Sequence, residues 1–471
     1  MKLNELLRQL PAVDEVLQDS RLADLVAESR VRCLQWTRDA IDAVRERIRH
    51  GEAMDACNLL TSVVDDVHSR SQADEISALR PVLNATGVLL HTNLGRAALS
   101  EAAMQAMNAA TGYTNLELDL ATGKRSKRGS RVHEALAQLT GAEAAVVVNN
   151  CAAATVLVLQ AVAAGKEVII SRGQLVEIGG GFRLPEVFVA AGVHLREVGT
   201  TNRTYLRDYV DAINESTGAM IRVHRSNFSQ SGFVCEPTIQ EMVAAARPPT
   251  VCAIDDMGSG WLGTEGLVER FAWAEGSGAG RAMLQEPGVL ASVASGADLC
   301  LFSGDKLFGG PQAGIVVGKS KWIDMLRRSP LMRAMRPDKL TLAALEATVD
   351  SHLAGNAVRE LPLYQMLASS TDSIRERCER MVSDLKSDCE FELVVSNCDS
   401  QIGGGSMPDV LIPSCGVRIC CGSGEALARK LRTGQIAVQC RREEGDLLLD
   451  LRTIPPSSDE QLAATLRGAL A

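Results

Sequence analysis

The sequence predicts an α/β protein: a mostly parallel sheet covered by helices on both faces, a helical segment before it and a small α/β domain after it. Between residues 134 and 318, short apolar runs alternate with helical stretches or Gly-rich turns, which is typical of parallel sheets. The first 70 residues show no strand alternation. At 471 residues, with 46% hydrophobic and 23% charged residues, the chain is long enough for two or three globular domains.

The cysteine and hydropathy patterns indicate a cytoplasmic protein. Thirteen cysteines form no C-x-x-C pair and lie mostly in apolar runs, so we expect free thiols in a reducing compartment and no metal site. The opening stretch MKLNELLRQLPAVDEVLQDS contains acids and a proline, unlike a signal peptide. No apolar stretch approaches the ~18 residues of a membrane span. The net charge of −9 argues against a nucleic-acid-binding surface over the whole protein, but local basic patches matter more than the sum.

Residues 1–70 are expected to form an N-terminal helical domain, joined to the rest by a polar linker at 71–80. Residues 22–48 have the periodicity of one or two long amphipathic helices. Within residues 30–49 six arginines accompany three acids; the arginines are Arg30, Arg32, Arg38, Arg45, Arg47 and Arg49. This pattern fits either a solvated helix face or a surface that contacts RNA phosphates.

Two further stretches carry basic residues in polar, Gly-containing turns. Arg96 follows Asn93 and Gly95 in the turn of PVLNATGVLLHTNLGRAALS, and it is either an exposed arginine or an anion-binding one. The second stretch, LATGKRSKRGSR, places five basic residues within eight positions; they are Lys124, Arg125, Lys127, Arg128 and Arg131. It is either a solvated loop or a phosphate-binding patch.

The stretch FSGDKLFGGPQAG, residues 302–314, holds a single lysine just after the apolar strand predicted at 297–302. Four glycines lie close to this lysine, Lys306, and glycine lets a backbone approach a ligand closely. A lysine that is desolvated at the end of a strand is suited to Schiff-base chemistry, so Lys306 is the candidate for binding the aldehyde of pyridoxal 5'-phosphate (PLP). Ser303 could bind a phosphate oxygen of the same cofactor. The alternative is a solvated lysine in a surface turn.

Two other strand ends carry candidate cofactor ligands. The stretch NNCAAA opens a helix after the apolar strand AAVVV, which makes Asn149, Asn150 and Cys151 candidates for a phosphate site at a helix N-terminus; the alternative is an ordinary Asn cap. Asp255 is the first polar residue after the strand at 251–254. We expect it to pair with the protonated ring nitrogen of PLP, with Asp256 turned the other way.

The core SGDK and GGPQAG segments resemble the PLP-lysine motif of the bacterial L-seryl-tRNA(Sec) selenium transferases, also called selenocysteine synthases. The similarity covers nearly the whole chain, from LPAVDEVL to the helix after MRAMRPDKL. It implies a fold-type I PLP-dependent transferase with a catalytic core at 81–339, a small C-terminal domain at 340–471 and an N-terminal domain that binds the tRNA body. The order of phosphate turn, aspartate and lysine matches that fold type.

The resemblance also implies roles for residues that the patterns leave open. Arg96, Arg333 and Arg336 become candidates for holding selenophosphate, the selenium donor, and Arg333 and Arg336 would project together from one helical turn. Asn227 could hydrogen-bond the ring oxygen of PLP. No ring-stacking residue stands out, and Gln174 occupies a position where the family pattern leads us to expect Glu.

The implied reaction starts from serine esterified to tRNA(Sec). Lys306, or a base near it, removes the Cα proton, the hydroxyl leaves to give an aminoacrylyl-tRNA, and selenium from selenophosphate adds at Cβ to give selenocysteinyl-tRNA(Sec). Fold-type I sites usually form between subunits, so we expect a homo-oligomer, and the family suggests a ring of dimers. The basic patch at 124–131 could then face either the tRNA or a subunit contact.

Two other functions are compatible with parts of the sequence. One is a PLP lyase acting on a small phosphorylated amino acid or amino sugar acid, because relatives with such an activity share the core motif. A small-molecule lyase has no use for the N-terminal helical region, which separates the two. The other is a non-catalytic tRNA-binding protein on an inactive PLP fold, against which the retention of Lys306, Ser303 and Asp255 argues.

Overall fold

The computed structural model describes residues 3–52, 55–246, 250–275, 277–386 and 390–470. The chain divides into two compact units, Met1–Val82 and Leu83–Ala471. Within the described ranges, no helix is both long and apolar enough to cross a bilayer. Every cysteine in these ranges is a free thiol.

The first unit is helical, as the absence of strand alternation predicts. Its helices are α1 (Leu3–Leu7), α2 (Val13–Leu17), α3 (Ala23–Arg49) and α4 (Leu59–Ser77). They enclose their own apolar core, in which Val16, Val44 and Val63 are fully or almost fully buried. The segment predicted as a polar linker at 71–80 is helical as far as Ser77, and the Gln, Ala and Glu of its QADE run favour helix.

The second unit contains all the strands that the structure describes. They are β1 (Val82–Ala85, which begins at the boundary), β2 (Ala144–Val148), β3 (Glu167–Ser171), β4 (Glu177–Ile178), β5 (Phe182–Arg183), β6 (His194–Val198), β7 (Thr217–Val223), β8 (Cys252–Gly258), β9 (Leu299–Ser303), β10 (Gly314–Gly318), β11 (Glu392–Gly403), β12 (Ser406–Cys420), β13 (Ala437–Glu443) and β14 (Asp446–Asp450).

Its helices lie between and after these strands. They are α5 (Glu101–Ala109), α6 (Ser130–Thr140), α7 (Cys151–Ala163), α8 (Leu184–Ala190), α9 (Leu206–Ala212), α10 (Ile239–Ala245), α11 (Gly278–Gln285), α12 (Val289–Ala294), α13 (Ser320–Arg328), α14 (Pro330–Ala334), α15 (Lys339–Leu353), α16 (Ala357–Glu360), α17 (Pro362–Ala368), α18 (Thr371–Leu385), α19 (Glu425–Thr433) and α20 (Asp459–Leu470).

A seven-stranded sheet in the order β2-β10-β9-β8-β7-β3-β6 forms the centre of this unit. Strands β6, β3, β7, β8 and β9 run parallel, and β10 pairs antiparallel with both β9 and β2. Helix α7 packs on one face, where Leu157 and Val158 meet Ile254. Helices α6 and α15 pack on the other face, where Leu136 and Leu345 belong to one core cluster. The prediction of a mostly parallel sheet with helices on both faces is confirmed.

A second sheet, in the order β1-β13-β14-β12-β11, carries the C-terminal region. Helices α18, α19 and α20 share its apolar core, in which Ile374, Leu431 and Leu466 are fully buried. Strand β1 belongs to this sheet although it lies at the start of the segment predicted as catalytic core. Ala85 explains the placement, because it is fully buried in the same core.

Candidate active site

Lys306 lies in a tight turn directly after β9. Only 6% of its surface is exposed. The turn is closed by backbone hydrogen bonds from the Gly304 N–H to the Ala313 carbonyl and from the Gly310 N–H to the Gly304 carbonyl, both 2.8 Å. A Cβ on Gly304 would lie 2.6 Å from the Pro311 carbonyl oxygen, so a side chain there would force the turn open. The glycines thus hold a desolvated lysine at the carboxyl edge of the sheet.

The N-terminus of α7 lies at the end of β2. The Asn150 side chain caps it, accepting a hydrogen bond from the Ala153 N–H at 2.8 Å. Gly314 in β10 packs so closely on the Asn150 carbonyl that a Cβ would collide with it. Asn149 is exposed, and its N–H donates to the Met335 carbonyl at 2.8 Å. The first-turn N–H groups of α7 have no partner within the helix and suit an anion.

Cys151, the first residue of α7, carries a neutral thiol. Burial of the sulfur raises the pKa of Cys151 far above its ordinary value, and the nearby carboxylate of Asp256 raises it further. A thiol in this state is a poor nucleophile. Its place in the site is therefore that of a small neutral side chain beside the helix N-terminus.

The two aspartates of β8 lie on opposite faces of the sheet, and Asp255, which was expected to pair with the ring nitrogen of PLP, is hydrogen-bonded by Arg222 and Ser292. Asp255 is fully buried and accepts two hydrogen bonds from Arg222, at 2.8 and 2.7 Å, and one from Ser292 at 2.5 Å. Cys252 and Ile254 pack in the core on the α7 side, and the period of two in a strand places Asp256 with them.

Asp256 is the β8 carboxylate whose pKa is lowered by the charge of Lys306. It accepts a hydrogen bond from the Thr155 hydroxyl of α7 at 3.2 Å. Burial raises its pKa to about 7, while the Thr155 hydrogen bond and the positive charge of Lys306 lower it. An acid with this pKa exchanges its proton near neutral pH, and a nearby positive charge favours its ionised form.

Arg96 and Asp305 form an ion pair next to Lys306. The Arg96 Nη1 lies 2.7 Å from the Asp305 Oδ2, and the Ser303 hydroxyl donates to the Asp305 Oδ1 at 3.1 Å. Arg96 has a left-handed backbone, with φ of 64°. Its Nε is buried without a hydrogen-bond partner among the described residues. Asp305 was missed by the sequence reasoning, although its position directly before the lysine could have drawn attention to it.

Arg333 and Arg336 do not share a helical turn, contrary to the prediction from their spacing. Helix α14 ends at Ala334, so Arg336 lies beyond it, and Arg333 is exposed. The Met335 carbonyl between them accepts the Asn149 N–H, which ties this segment to the end of β2. Arg336 lies 3.6 Å from Glu117, a carboxylate that also pairs with Arg125 and Arg128 of the basic patch. The two arginines therefore flank a backbone segment that is held at the end of β2, without sharing one helical turn.

The side chains of Asn227 and Gln174 are both hydrogen-bonded to other residues of the protein. The Asn227 amide donates to the Glu177 carbonyl at 2.9 Å. Gln174 is 1% exposed; its Oε1 accepts the Val223 N–H at 3.0 Å, and its Nε2 donates to Glu236 at 3.4 Å. The Gln174 amide therefore donates a hydrogen bond to Glu236. An ionised carboxylate at position 174 could not donate this bond.

Comparisons with known proteins identify the family of the chain. Residues 82–455 match the family model described as L-seryl-tRNA selenium transferase, and residues 7–29 match the model of the selenocysteine synthase N-terminal region. The chain belongs to the L-seryl-tRNA selenium transferase family.

Relatives in this family match the chain over its whole length. The L-seryl-tRNA(Sec) selenium transferase of Moorella thermoacetica is 44% identical and covers 100% of this chain and 98% of its own. That of Nitratidesulfovibrio vulgaris strain Hildenborough is 42% identical, with 99% of this chain and 100% of its own covered. The prediction made from the SGDK and GGPQAG segments is confirmed.

Among solved structures, a D-glucosaminate-6-phosphate ammonia-lyase superposes with a TM-score of 0.56 at 20% identity. The alignment covers 83% of this chain and 96% of that one. At this identity the likeness concerns the fold, which is that of fold-type I PLP enzymes.

Proposed function

We propose that this selenium transferase, which converts seryl-tRNA(Sec) to selenocysteinyl-tRNA(Sec), holds PLP on Lys306 and takes selenium from selenophosphate. One observation carries the proposal. A buried lysine and a buried aspartate face the same side of a parallel sheet, at its carboxyl edge, beside the N-terminus of α7. Ligands of open α/β sheets bind at this edge.

The residues present fit the cofactor. In the first turn of α7 the Ala153 N–H is bound by the Asn150 side chain, which leaves the N–H groups of Cys151 and Ala152 for a phosphate. Gly314 packs directly on the Asn150 carbonyl, where a side chain would collide with it. Asp256 offers a carboxylate to a protonated ring nitrogen in place of Asp255, whose oxygens are occupied by Arg222 and Ser292. When bound there, PLP supplies an electron sink for the charge that develops at the substrate Cα.

Lys306 also serves as the candidate base. Its Nζ would remove the proton from the Cα of the seryl group and deliver a proton to the leaving hydroxyl oxygen. Burial of the side chain excludes water from this transfer. Asp305 does not compete for this role, because the Arg96 guanidinium and the Ser303 hydroxyl both hydrogen-bond its carboxylate.

Three arginines would hold the selenophosphate anion. Arg96 is fixed by Asp305 on one side and has a buried Nε with no hydrogen-bond partner among the described residues. Arg333 and Arg336 flank Met335, whose carbonyl is bound to the end of β2. Guanidinium groups that approach from different segments can surround a tetrahedral anion with charge-assisted hydrogen bonds.

We propose that the N-terminal unit binds the body of tRNA(Sec). The domain predicted at 1–70 is longer in the structure, because its last helix, α4, continues to Ser77. In α3, Arg45, Arg47 and Arg49 pair with nearby acids. Arg30 and Arg38 make no ion pair with any residue that the structure describes, and both are exposed. These two charges remain available for RNA phosphates. The active form is proposed to be a homo-oligomer built as a ring of dimers.

Incubation of the protein with seryl-tRNA(Sec), PLP and isotope-labelled selenophosphate tests the reaction. We expect label to appear in selenocysteinyl-tRNA and to disappear with Lys306→Ala. Formation of pyruvate and ammonia from free serine or a phosphorylated amino acid, without labelled tRNA, would support a small-molecule lyase instead.

A further inference from the structure

The N-terminal unit contains a groove of about 490 Å³ between α3 and α4. Residues of this unit alone line it: Arg32, Gln35, Trp36, Asp39, Arg70, Ala73 and Asp74. The spacing explains the groove, since the four α3 residues lie at i, i+3, i+4 and i+7 on one helix face. The three from α4 lie at i, i+3 and i+4, and the small Ala73 leaves room between the helices.

The groove combines an aromatic ring with balanced charge. Trp36 is half-buried and packs against the core of the unit. The two arginines and two aspartates cancel in formal charge, and Arg70 is already paired with Asp66 at 2.9 Å. With a formal charge of zero, the lining offers a phosphate no net charge to attract it. The groove therefore suits a neutral polar ring better than a phosphate.

Asp39 brings a carboxylate acceptor to the lining of the groove. Its Oδ1 accepts the Gln35 side-chain amide at 2.9 Å, which holds the carboxylate in place and leaves its Oδ2 without a partner among the described residues. A carboxylate only accepts hydrogen bonds. A planar ligand with two adjacent N–H groups can donate to both of its oxygens at once.

We propose that this groove binds one unstacked guanine base of the tRNA, with the base against Trp36 and its N1–H and N2–H donors on the Asp39 carboxylate. The proposal rests on the proposed function, in which the N-terminal unit binds tRNA. Single-stranded loops of RNA are read in this way, by stacking of a splayed base on an aromatic side chain and by hydrogen bonds to its Watson–Crick edge. Guanine is selected because its edge carries two neighbouring donors, whereas uracil and adenine place an acceptor beside each donor.

Asp39→Asn tests the groove, with Asp42→Asn as the matched control on the same helix. Asp42 lies outside the groove and pairs with Arg45. General electrostatics predicts that removing either negative charge strengthens binding to the tRNA polyanion. We expect the opposite for Asp39→Asn, a loss of about tenfold or more in affinity for seryl-tRNA(Sec), while Asp42→Asn binds as tightly as wild type or more tightly.

A second measurement identifies the base. Each looped guanosine of the tRNA is replaced singly by inosine, which lacks the N2 amino group. One replacement should weaken binding to the wild-type protein and have no further effect on Asp39→Asn. If Asp39→Asn retains wild-type affinity, or if every inosine effect persists in that variant, the groove does not bind guanine.

The double variant Arg30→Gln/Arg38→Gln separates this proposal from the proposed function. If the double variant loses affinity for the tRNA while Asp39→Asn binds as tightly as wild type, guanine binding in the groove is refuted and tRNA binding by the N-terminal unit is supported. Wild-type affinity in all of these variants contradicts both. Thermal unfolding of the full-length variants shows whether each one is folded.

Discussion

Asp255 and Asp256 are consecutive residues of β8 whose carboxylates lie on opposite faces of the seven-stranded sheet. Asp255 accepts hydrogen bonds from Arg222 and Ser292, whereas Asp256 accepts one from Thr155 and its pKa, which burial raises, is lowered by the charge of Lys306.

The two Asp→Asn variants should therefore differ in whether they lose activity or stability. Asp256→Asn should keep a stable fold and lower turnover at least tenfold, because an amide cannot keep a ring nitrogen protonated.

Asp255→Asn should instead lower the free energy of unfolding by about 3 kcal/mol, since it leaves the Arg222 guanidinium without its charge partner. Urea denaturation and turnover, measured on both variants, separate the two roles. A stable Asp255→Asn with greatly reduced turnover, together with an active Asp256→Asn, would return the ring-nitrogen role to Asp255.

The raised pKa of Asp256 predicts a pH dependence in the cofactor-free protein. The folded state holds this proton up to about pH 7, whereas the unfolded chain releases it near pH 4. The folded state binds more protons between these values, so this group's contribution to stability is present at low pH and is lost as the pH rises to about 7. Wild type should lose stability relative to Asp256→Asn over this window, measured by urea denaturation. A constant difference between the two proteins would contradict the buried, protonated carboxyl.

Lys306 should be the residue that carries PLP. Borohydride reduction followed by peptide mapping should place the pyridoxyl group on Lys306. Lys319 is the internal control, because it lies one strand later and its Nζ is bound to Asp298 at 2.7 Å. Modification of Lys319 or Lys339 in place of Lys306 would refute the assignment.

Arg333→Ala and Arg336→Ala should weaken the use of selenophosphate while leaving the affinity for seryl-tRNA(Sec) near that of wild type. Each loss removes charge-assisted hydrogen bonds to the donor, so the KM for selenophosphate should rise about tenfold or more. Arg328→Ala, an exposed arginine at the end of α13, provides the control. Unchanged kinetics at low donor concentration in both variants would show that the donor binds elsewhere.

Gln174→Glu should destabilise the protein at neutral pH by about 1–3 kcal/mol, because it sets a second carboxylate against Glu236 in a buried position. Adding Glu236→Gln to this variant should restore the lost stability, since one amide again faces one carboxylate. Urea denaturation at pH 7 measures both changes. A Gln174→Glu protein as stable as wild type would mean that Arg225, which pairs with Glu236, compensates the added charge.

Several features followed from local sequence alone. Apolar runs such as AAVVV and LCLFS are typical of buried strands, and their alternation with helices predicts a mostly parallel sheet with ligands at its carboxyl edge. The lysine between glycines, the Asn-capped helix after β2 and the strandless N-terminal region were all readable from residue type and spacing. These are short-range properties of the chain.

Tertiary structure decided what spacing could not. Both carboxylates of the Asp255–Asp256 pair follow one apolar strand, and only the packing of Cys252 and Ile254 against α7 shows which of them faces Lys306. The partners of Gln174, of Arg336 and of Arg96 lie on distant segments, so no local pattern could reveal them. Strand β1 likewise joins a sheet whose other strands lie more than three hundred positions later in the chain. A strand pairs where its apolar side chains become buried, and sequence distance does not limit this choice. Residue type determined which groups are available for chemistry, and long-range packing determined which of them meet.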